Sequence, residues 1–319
     1  RSNIVQYRYL GRSGLQVSTI GLGTNRFGGK VDQVGVNAII DAAIDLGINL
    51  IDTADVYTEG NSERTLGIAL KGKWHKVILA TKGFNATGDG PNDKGASRYH
   101  LIAAVEDSLR RLQSDHIDLY QMHRYDDATP IQETLRALDD LVRSGKIRYI
   151  GASNYMSWQL ARANLLAEFN HWTPFVSLQN HYHMFERELE REVLPYCTAH
   201  VVGILPYFPL AGGFLTGKYK RGAPAPAGSR GESSPYVQAY MTDANYDKLD
   251  KLETWAAAHG RTLGDLAHAW LLAHPAVSSV ISGATALEQL QTNAKSADWS
   301  LSAAELAEVN AILEPKAAA

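Results

Sequence analysis

The sequence predicts an α/β fold, a (β/α)8 TIM barrel with an N-terminal β-hairpin and long loops at the C-terminal face of the sheet. Three observations predict it. Short apolar runs alternate along the whole chain with segments whose apolar residues recur at helical spacing. Most of the runs are continuously apolar, as parallel strands covered on both faces are. Eight strand–helix units spread over a chain of 319 residues match a closed barrel better than the rival open doubly wound sheet.

The elements follow in order. Residues 7–10, the turn Gly11-Arg12-Ser13-Gly14 and residues 15–18 read as a hairpin able to plug the N-terminal end of a barrel. The apolar runs lie at 19–23, 49–53, 77–82, 117–123, 147–151, 175–179, 201–206 and 277–281. After the second hairpin strand and first run, Val36, Ile39, Ile40 and Ala43 form one helical face that Gly47 ends. Leu101, Ala104, Val105, Ser108, Leu109 and Leu112 form another. Thr129 and Gln132 have capping-box spacing around Pro130 as the first helical residue, and that helix should close at Gly145. The segment 210–241, with Pro224, Pro226, Pro235 and many Gly and Ser, reads as a long loop over the site. No linker divides the chain, so 1–319 reads as a single domain.

Composition narrows the function. Hydrophobic residues make up 45% of the chain and the net charge is −3 with both signs mixed, so neither nucleic acid nor an anionic membrane is the expected partner; a small molecule is. The lone Cys197 can form no internal disulfide, and no signal-peptide h-region or membrane-length apolar stretch is present, which suits a cytoplasmic protein. The chain opens on Arg1, and residues 316–319 look like a frayed or vector-derived tail. No metal is expected, and the oligomeric state is open.

Polar residues gather where the apolar runs end. Asp52, Lys82, His123, Ser153, Asn154, Gln179 and Tyr207 all fall at or just past such ends, where barrels collect their chemistry. Singly each has a structural reading: a turn cap, a solvated lysine, a satisfied core histidine. Jointly, Asp52, Tyr57, Lys82 and His123 form a proton-handling set. A carboxylate beside a buried lysine holds it as ammonium. That charge is expected to lower the pKa of a nearby phenol, making Tyr57 a usable acid, while a neutral His123 donates to and orients a carbonyl oxygen. The set suits hydride addition to a carbonyl.

The hydride must come from a cofactor, yet Gly21-Leu22-Gly23 lacks the third glycine of a dinucleotide fingerprint and reads as tight strand packing. Ser153, Asn154 and Gln179 could instead hold a carboxamide, and Tyr207 could stack on a planar ring. The stretch Ser282-Gly283-Ala284-Thr285 before a helix carrying Gln289 and Asn293 could hold a phosphate, or could be an ordinary capped loop.

Over nearly its whole length the chain resembles the aldo-keto reductases, in the style of their bacterial and potassium-channel β-subunit branches. The resemblance rests on Gly21-Leu22-Gly23-Thr24, Asn49-Leu50-Ile51-Asp52-Thr53-Ala54-Asp55-Val56-Tyr57, Gly60-Asn61-Ser62-Glu63, Thr81-Lys82, Leu119-Tyr120-Gln121-Met122-His123, the stretch 145–154, and Pro209-Leu210-Ala211-Gly212-Gly213. It implies a nicotinamide dinucleotide held in extended form without a Rossmann domain, usually NADP(H), and a catalytic tetrad of Asp52, Tyr57, Lys82 and His123. It also implies that Ser153, Asn154 and Gln179 hold the carboxamide and that Tyr207 stacks on the nicotinamide. Leu210, Gly212 and Lys218 would fold over the pyrophosphate, with Gly283, Thr285, Gln289 and Asn293 at the adenosine end. Three departures stand out: Phe208 replaces a common serine, Ser282 replaces the usual proline, and 282–293 holds no lysine or arginine to grip a 2′-phosphate. NADP(H) remains the expectation, with NAD(H) as the alternative.

The expected substrate is a small carbonyl compound or alcohol, in a pocket walled by Asn25, Arg26, Phe84, Arg124 and Tyr125; Arg26 and Arg124 either bind an anionic group or form salt bridges at the rim. Two other functions fit parts of the pattern: a cofactor-sensing subunit with little turnover, and a Schiff-base aldolase using Lys82.

Overall fold

The alternation of apolar runs and helical periods folds into a ring of parallel strands. In this computed structural model, which describes residues 5–314, β1 (Tyr7–Tyr9) and β2 (Gln16–Ser18) pair as an antiparallel hairpin. The barrel strands are β3 (Ile20–Gly23), β4 (Leu50–Asp52), β5 (Ile78–Gly83), β6 (Ile117–Met122), β7 (Ile147–Ser153), β8 (Ser177–Gln179), β9 (Gly203–Ile204) and β10 (Val280–Gly283). They are parallel neighbours in the order β10-β3-β4-β5-β6-β7-β8-β9. Bridges from Ile204 to Val277 and from Tyr207 to Ile281 join β9 to β10 and close the ring. The reading of 316–319 as a tail lies outside the described residues.

Helices α1 (Gln33–Leu46), α2 (Asn61–Ala69), α3 (Arg98–Leu112), α4 (Ile131–Arg143), α5 (Ser157–Phe169) and α6 (Val193–His200) alternate with the strands. Farther along come α7 (Arg230–Ser233), α8 (Pro235–Gln238), α9 (Asp243–Ala258), α10 (Leu263–Leu272), α11 (Leu287–Lys295) and α12 (Ala303–Leu313). The apolar face expected of α1 is the buried one, and Asp32 caps its start by accepting the Gly35 amide at 2.9 Å. Gly47 ends it in the left-handed region, at φ 87°. The expected face of α3 is buried in full. The start of α4 differs from expectation. Pro130 is its N-cap, and the Thr129 hydroxyl donates to Asp126 at 2.8 Å instead of capping the helix. Asp126 also accepts the amides of Ala96 and Ala128, so a nearby carboxylate outcompetes the helix for that hydroxyl. No helix among the described residues is long and apolar enough to cross a membrane.

Two apolar cores result. The larger lies between the helices and the outer face of the sheet. The smaller fills the bore with Leu50, Ile78, Ala80, Leu119, Val176, Leu205 and Ile281, joined from the hairpin by Leu10 and Val17. Gly11, at φ 54°, turns the hairpin so closely against this end that a Cβ would lie 2.3 Å from the Val176 carbonyl. Gly21 has the packing role expected of it, because a Cβ there would meet Ile281 at 2.9 Å. Alternate strand residues share a face, so the residues two steps past the bore core point into its upper end: Asp52 after Leu50, Lys82 after Ala80, and Gln121 after Leu119.

The segment 210–241 is more structured than a loop. It contains a 3-10 stretch (Ala211–Thr216) as well as α7 and α8. The buried Tyr219 ties it together, donating to the Gly212 carbonyl and accepting the Gly231 amide, each at 3.0 Å.

Candidate active site

Asp52 and Lys82 end adjacent strands and meet as a buried ion pair with Nζ 2.6 Å from Oδ2. The fully buried ammonium also donates to the Thr53 carbonyl at 2.8 Å and points a longer contact, 3.5 Å, at the Tyr57 hydroxyl. Its hydrogens thus have three destinations. The other oxygen of Asp52 accepts the side-chain amides of Gln121 at 3.0 Å and Gln179 at 2.8 Å. Such a network is what makes a buried charge pair tolerable. Burial works to strip the proton from Lys82, but Asp52, followed by Tyr57, outweighs it and the amine is held above its ordinary pKa.

Tyr57 departs from the sequence expectation. Burial raises its pKa, and Lys82 pulls the value down by less than burial pushes it up. The phenol is therefore not acidified at rest; it stays a proton-bearing donor across the neutral range. The ring of His123 stands edge-on to it, with centroids 6.0 Å apart. Burial, reinforced by the charges of Lys82 and Arg124, drives His123 down to about 3, so its imidazole is neutral. A phenol, an ammonium and a neutral imidazole at one end of the bore can donate a proton to an oxygen that gains negative charge.

The residues past β7 and β8 join the same network. Ser153 donates to the Gln179 carbonyl at 2.8 Å, and the Asn154 amide group donates to the His123 carbonyl at 3.0 Å. Asn154 takes a left-handed conformation, φ 57°, and accepts the Tyr207 hydroxyl at 2.9 Å. Tyr207 stacks on His181, 5.4 Å between centroids and 17° between planes. Farther out, Gly212 is left-handed at φ 66°, Leu210 precedes it, and the exposed Lys218 has its ammonium over the Tyr219 ring. At the far end, Gln289 accepts both the amide and the hydroxyl of Thr285, at 2.8 and 3.1 Å, and Asn293 donates to the Gly283 carbonyl at 3.4 Å. In their own hydrogen bonds these four residues form a capped loop. The unusual Ser282 is buried, with its hydroxyl 2.7 Å from His268.

The candidate pocket residues are less uniform. Asn25, Arg26 and Arg124 are exposed, and among the described residues neither arginine forms a salt bridge, so the rim pairing offered as their structural role is not seen. Phe84 is half-buried, with φ 144°. The ring of Tyr125 packs edge-on against Tyr155 and Trp158, within an outer aromatic group beside α5.

The sequence profile of the Aldo/keto reductase family matches residues 19–314. The chain belongs to that family. This aldo/keto reductase is 38% identical to the uncharacterized oxidoreductase YrpG of Bacillus subtilis, over 93% of this chain and 92% of the relative. It is 38% identical to a probable voltage-gated potassium channel subunit beta of Arabidopsis thaliana, covering 92% of each. It is also 34% identical to the versiconal hemiacetal acetate reductase of Aspergillus parasiticus, over 87% of this chain and 88% of that one. Family and relatives together make it an oxidoreductase.

Four polar groups near the site were not singled out from the sequence of this aldo/keto reductase. Gln121 binds Asp52, and its signal was a polar residue inside an apolar run, on the same strand face as Leu119. Asn85 lies 3.0 Å from His123 Nδ1. Arg230 sits over the Phe208 ring at 5.4 Å with no salt bridge among the described residues, and the neighbouring charge of Arg26 lowers its pKa after burial does. Asp55, almost fully buried with neither carboxylate oxygen partnered among the described residues, is raised to about 7, first by burial and next by Glu63.

Proposed function

We propose that this chain reduces aldehyde or ketone carbonyls to alcohols, reversibly, with NADP(H) as hydride carrier and NAD(H) as the alternative. The observation that carries the reading is the ammonium of Lys82, fixed by Asp52 and Thr53 and aimed at the hydroxyl of Tyr57 beside a neutral His123. Tyr57 gives its proton to the carbonyl oxygen as that oxygen gains charge. Lys82 steadies the phenolate left behind, a larger service because burial disfavours that phenolate so strongly. His123 donates to the same oxygen and orients it. Asp52 keeps Lys82 charged, which also weighs against Schiff-base chemistry, since that needs the neutral amine.

The donor set suits a dinucleotide. Lys218 and Arg230 are cations without a carboxylate partner among the described residues, the kind of group a pyrophosphate or 2′-phosphate takes up. Tyr207, Ser153, Asn154 and Gln179 would hold the nicotinamide end, Leu210, Gly212, Lys218 and Arg230 the phosphates, and Gly283, Thr285, Gln289 and Asn293 the adenosine end. When bound, the dinucleotide supplies the hydride that the carbonyl carbon accepts. Asn25, Arg26, Phe84 and Arg124 would line the substrate side, and a small carbonyl substrate carrying an anionic group would use the guanidinium groups of Arg26 and Arg124.

Oxidation of NADPH with 4-nitrobenzaldehyde tests the reading. Tyr57→Phe should lower kcat by about 100-fold or more while leaving NADPH affinity within about twofold. Equal loss of both would make Tyr57 structural. The similarity to a protein named as a channel β subunit favours one second reading, a cofactor sensor. Tight NADPH binding by the intact protein with no turnover of a panel of aldehydes and ketones would select it.

A further inference from the structure

The imidazole of His123 has two nitrogens, and a neutral ring carries a hydrogen on one of them only. Which one decides whether it can donate to a carbonyl oxygen. The Nδ1 atom lies 3.0 Å from the side-chain amide nitrogen of Asn85. An amide nitrogen only donates, so Nδ1 must accept, and the ring hydrogen must sit on Nε2. Among the described residues Nε2 has no hydrogen-bond partner, while the ring stands edge-on to Tyr57.

The backbone holds this pairing in place from both sides. The His123 amide donates to the Gly83 carbonyl at 3.0 Å, which stitches the end of β6 to the end of β5 directly before Asn85. Between Gly83 and Asn85 stands Phe84 at φ 144°, a strained conformation for a residue with a side chain, kept in place by the Gly95 amide donating to the Phe84 carbonyl at 2.7 Å. Strain of this kind persists where the surroundings over-determine it, and it concentrates at functional sites. Phe84 packs against the larger core, whereas Asn85 itself is only half-buried.

We propose that Asn85 is a positioning residue for carbonyl reduction: its amide locks His123 in the Nε2–H tautomer, so that the ring presents a donor to the substrate oxygen. The inference rests on the reductase reading for its purpose but not for its geometry. Without Asn85 the two tautomers become close in energy, and in part of the molecules the ring offers a lone pair to an oxygen that needs a hydrogen. Asn85→Asp reverses the demand, because a carboxylate beside Nδ1 draws the hydrogen to that side.

Nitrogen-15 spectra of the His123 ring read the tautomer directly in the intact protein. The wild type should show Nδ1 as the unprotonated nitrogen and Nε2 as the protonated one. Asn85→Leu should give averaged signals and a kcat lowered roughly tenfold, one hydrogen bond's worth, with KM for NADPH unchanged. Asn85→Asp should move the hydrogen to Nδ1. A wild-type ring protonated on Nδ1 overturns the proposal. So does an Asn85→Leu protein that loses activity while its ring signals stay as in the wild type, since the residue would then be merely structural. Should the wild type show the expected tautomer yet turn over no carbonyl, the reductase reading fails and the tautomer assignment stands.

Discussion

The two ends of the barrel bore are built from the same strands and differ in everything but backbone. At the N-terminal end Leu50, Ile78, Ala80 and Leu119 pack with Leu10 and Val17 of the hairpin. Two residues along, Asp52, Lys82 and Gln121 form a network in which the carboxylate, the ammonium and the amide nitrogen find partners on a neighbouring strand or on the loop just past one, while the Gln121 amide oxygen has none among the described residues. The apolar end gains stability from non-directional burial, about 1.5–3 kcal/mol for each large side chain. The polar end gains almost nothing net from its charges, which stay buried because the carboxylate of Asp52 and the ammonium of Lys82 are both hydrogen-bonded. Seated on the rigid apolar layer, the charges keep their geometry without needing to contribute stability.

Breaking one partner at the polar end should have the largest effect. Lys82→Met leaves Asp52 buried without a cation and should cost about 3–5 kcal/mol in denaturant unfolding besides abolishing turnover. An unchanged unfolding midpoint would mean that the carboxylate finds water or a proton at no cost, and the contrast between the ends would dissolve. At the other end, Leu119→Ala should cost about 3 kcal/mol, yet kcat of the folded fraction should stay within about twofold. A much larger fall in kcat would show that the apolar layer is part of the chemistry and not a platform for it.

An effect that depends on pH sharpens the comparison from beside the bore. Asp55 is held to about 7 by burial and by Glu63, whereas its unfolded counterpart ionises near the usual carboxylate value. Because the folded value is the higher one, the native state loses stability as pH rises through the window between the two, and the loss is complete above the folded value. Asn has no such penalty. Asp55→Asn should therefore raise Tm by a clearly larger margin near pH 8 than near pH 5, the gain growing as pH rises toward the folded value. A gain that is the same at both values would trace to packing and not to ionisation.

Much of this was legible from residue order. Apolar runs with polar residues at their ends gave Asp52, Lys82 and His123, because parallel strands bring such ends to one rim. The apolar faces of α1 and α3 could be read outright, because helical spacing over several turns leaves few alternatives. What escaped depended on distances across the sequence. The bonds of Gln121 and Gln179 to the same oxygen of Asp52 follow from strand register, which no local pattern encodes. Asn85 reaches His123 only because two strand ends are stitched together. The net pKa of Tyr57 is a balance between burial and one cation, and only the cation was visible in the sequence. Thr129 was misread because Asp126, three residues earlier, offered a better acceptor. The short strand β8 starts later than its apolar run, and β9 ends sooner than its own, with Tyr207 continuing the contacts as isolated bridges to His181 and Ile281.

The hairpin at the start of the chain carries a consequence for biosynthesis. Its seat is made by the far end of the sequence. Arg8 donates to the carbonyls of Leu272 and Val277, and the Ser278 hydroxyl donates to Tyr9, contacts spanning up to 269 residues. A ribosome makes the hairpin well before its seat, so the hairpin waits while the intervening residues are translated before the ring can be sealed.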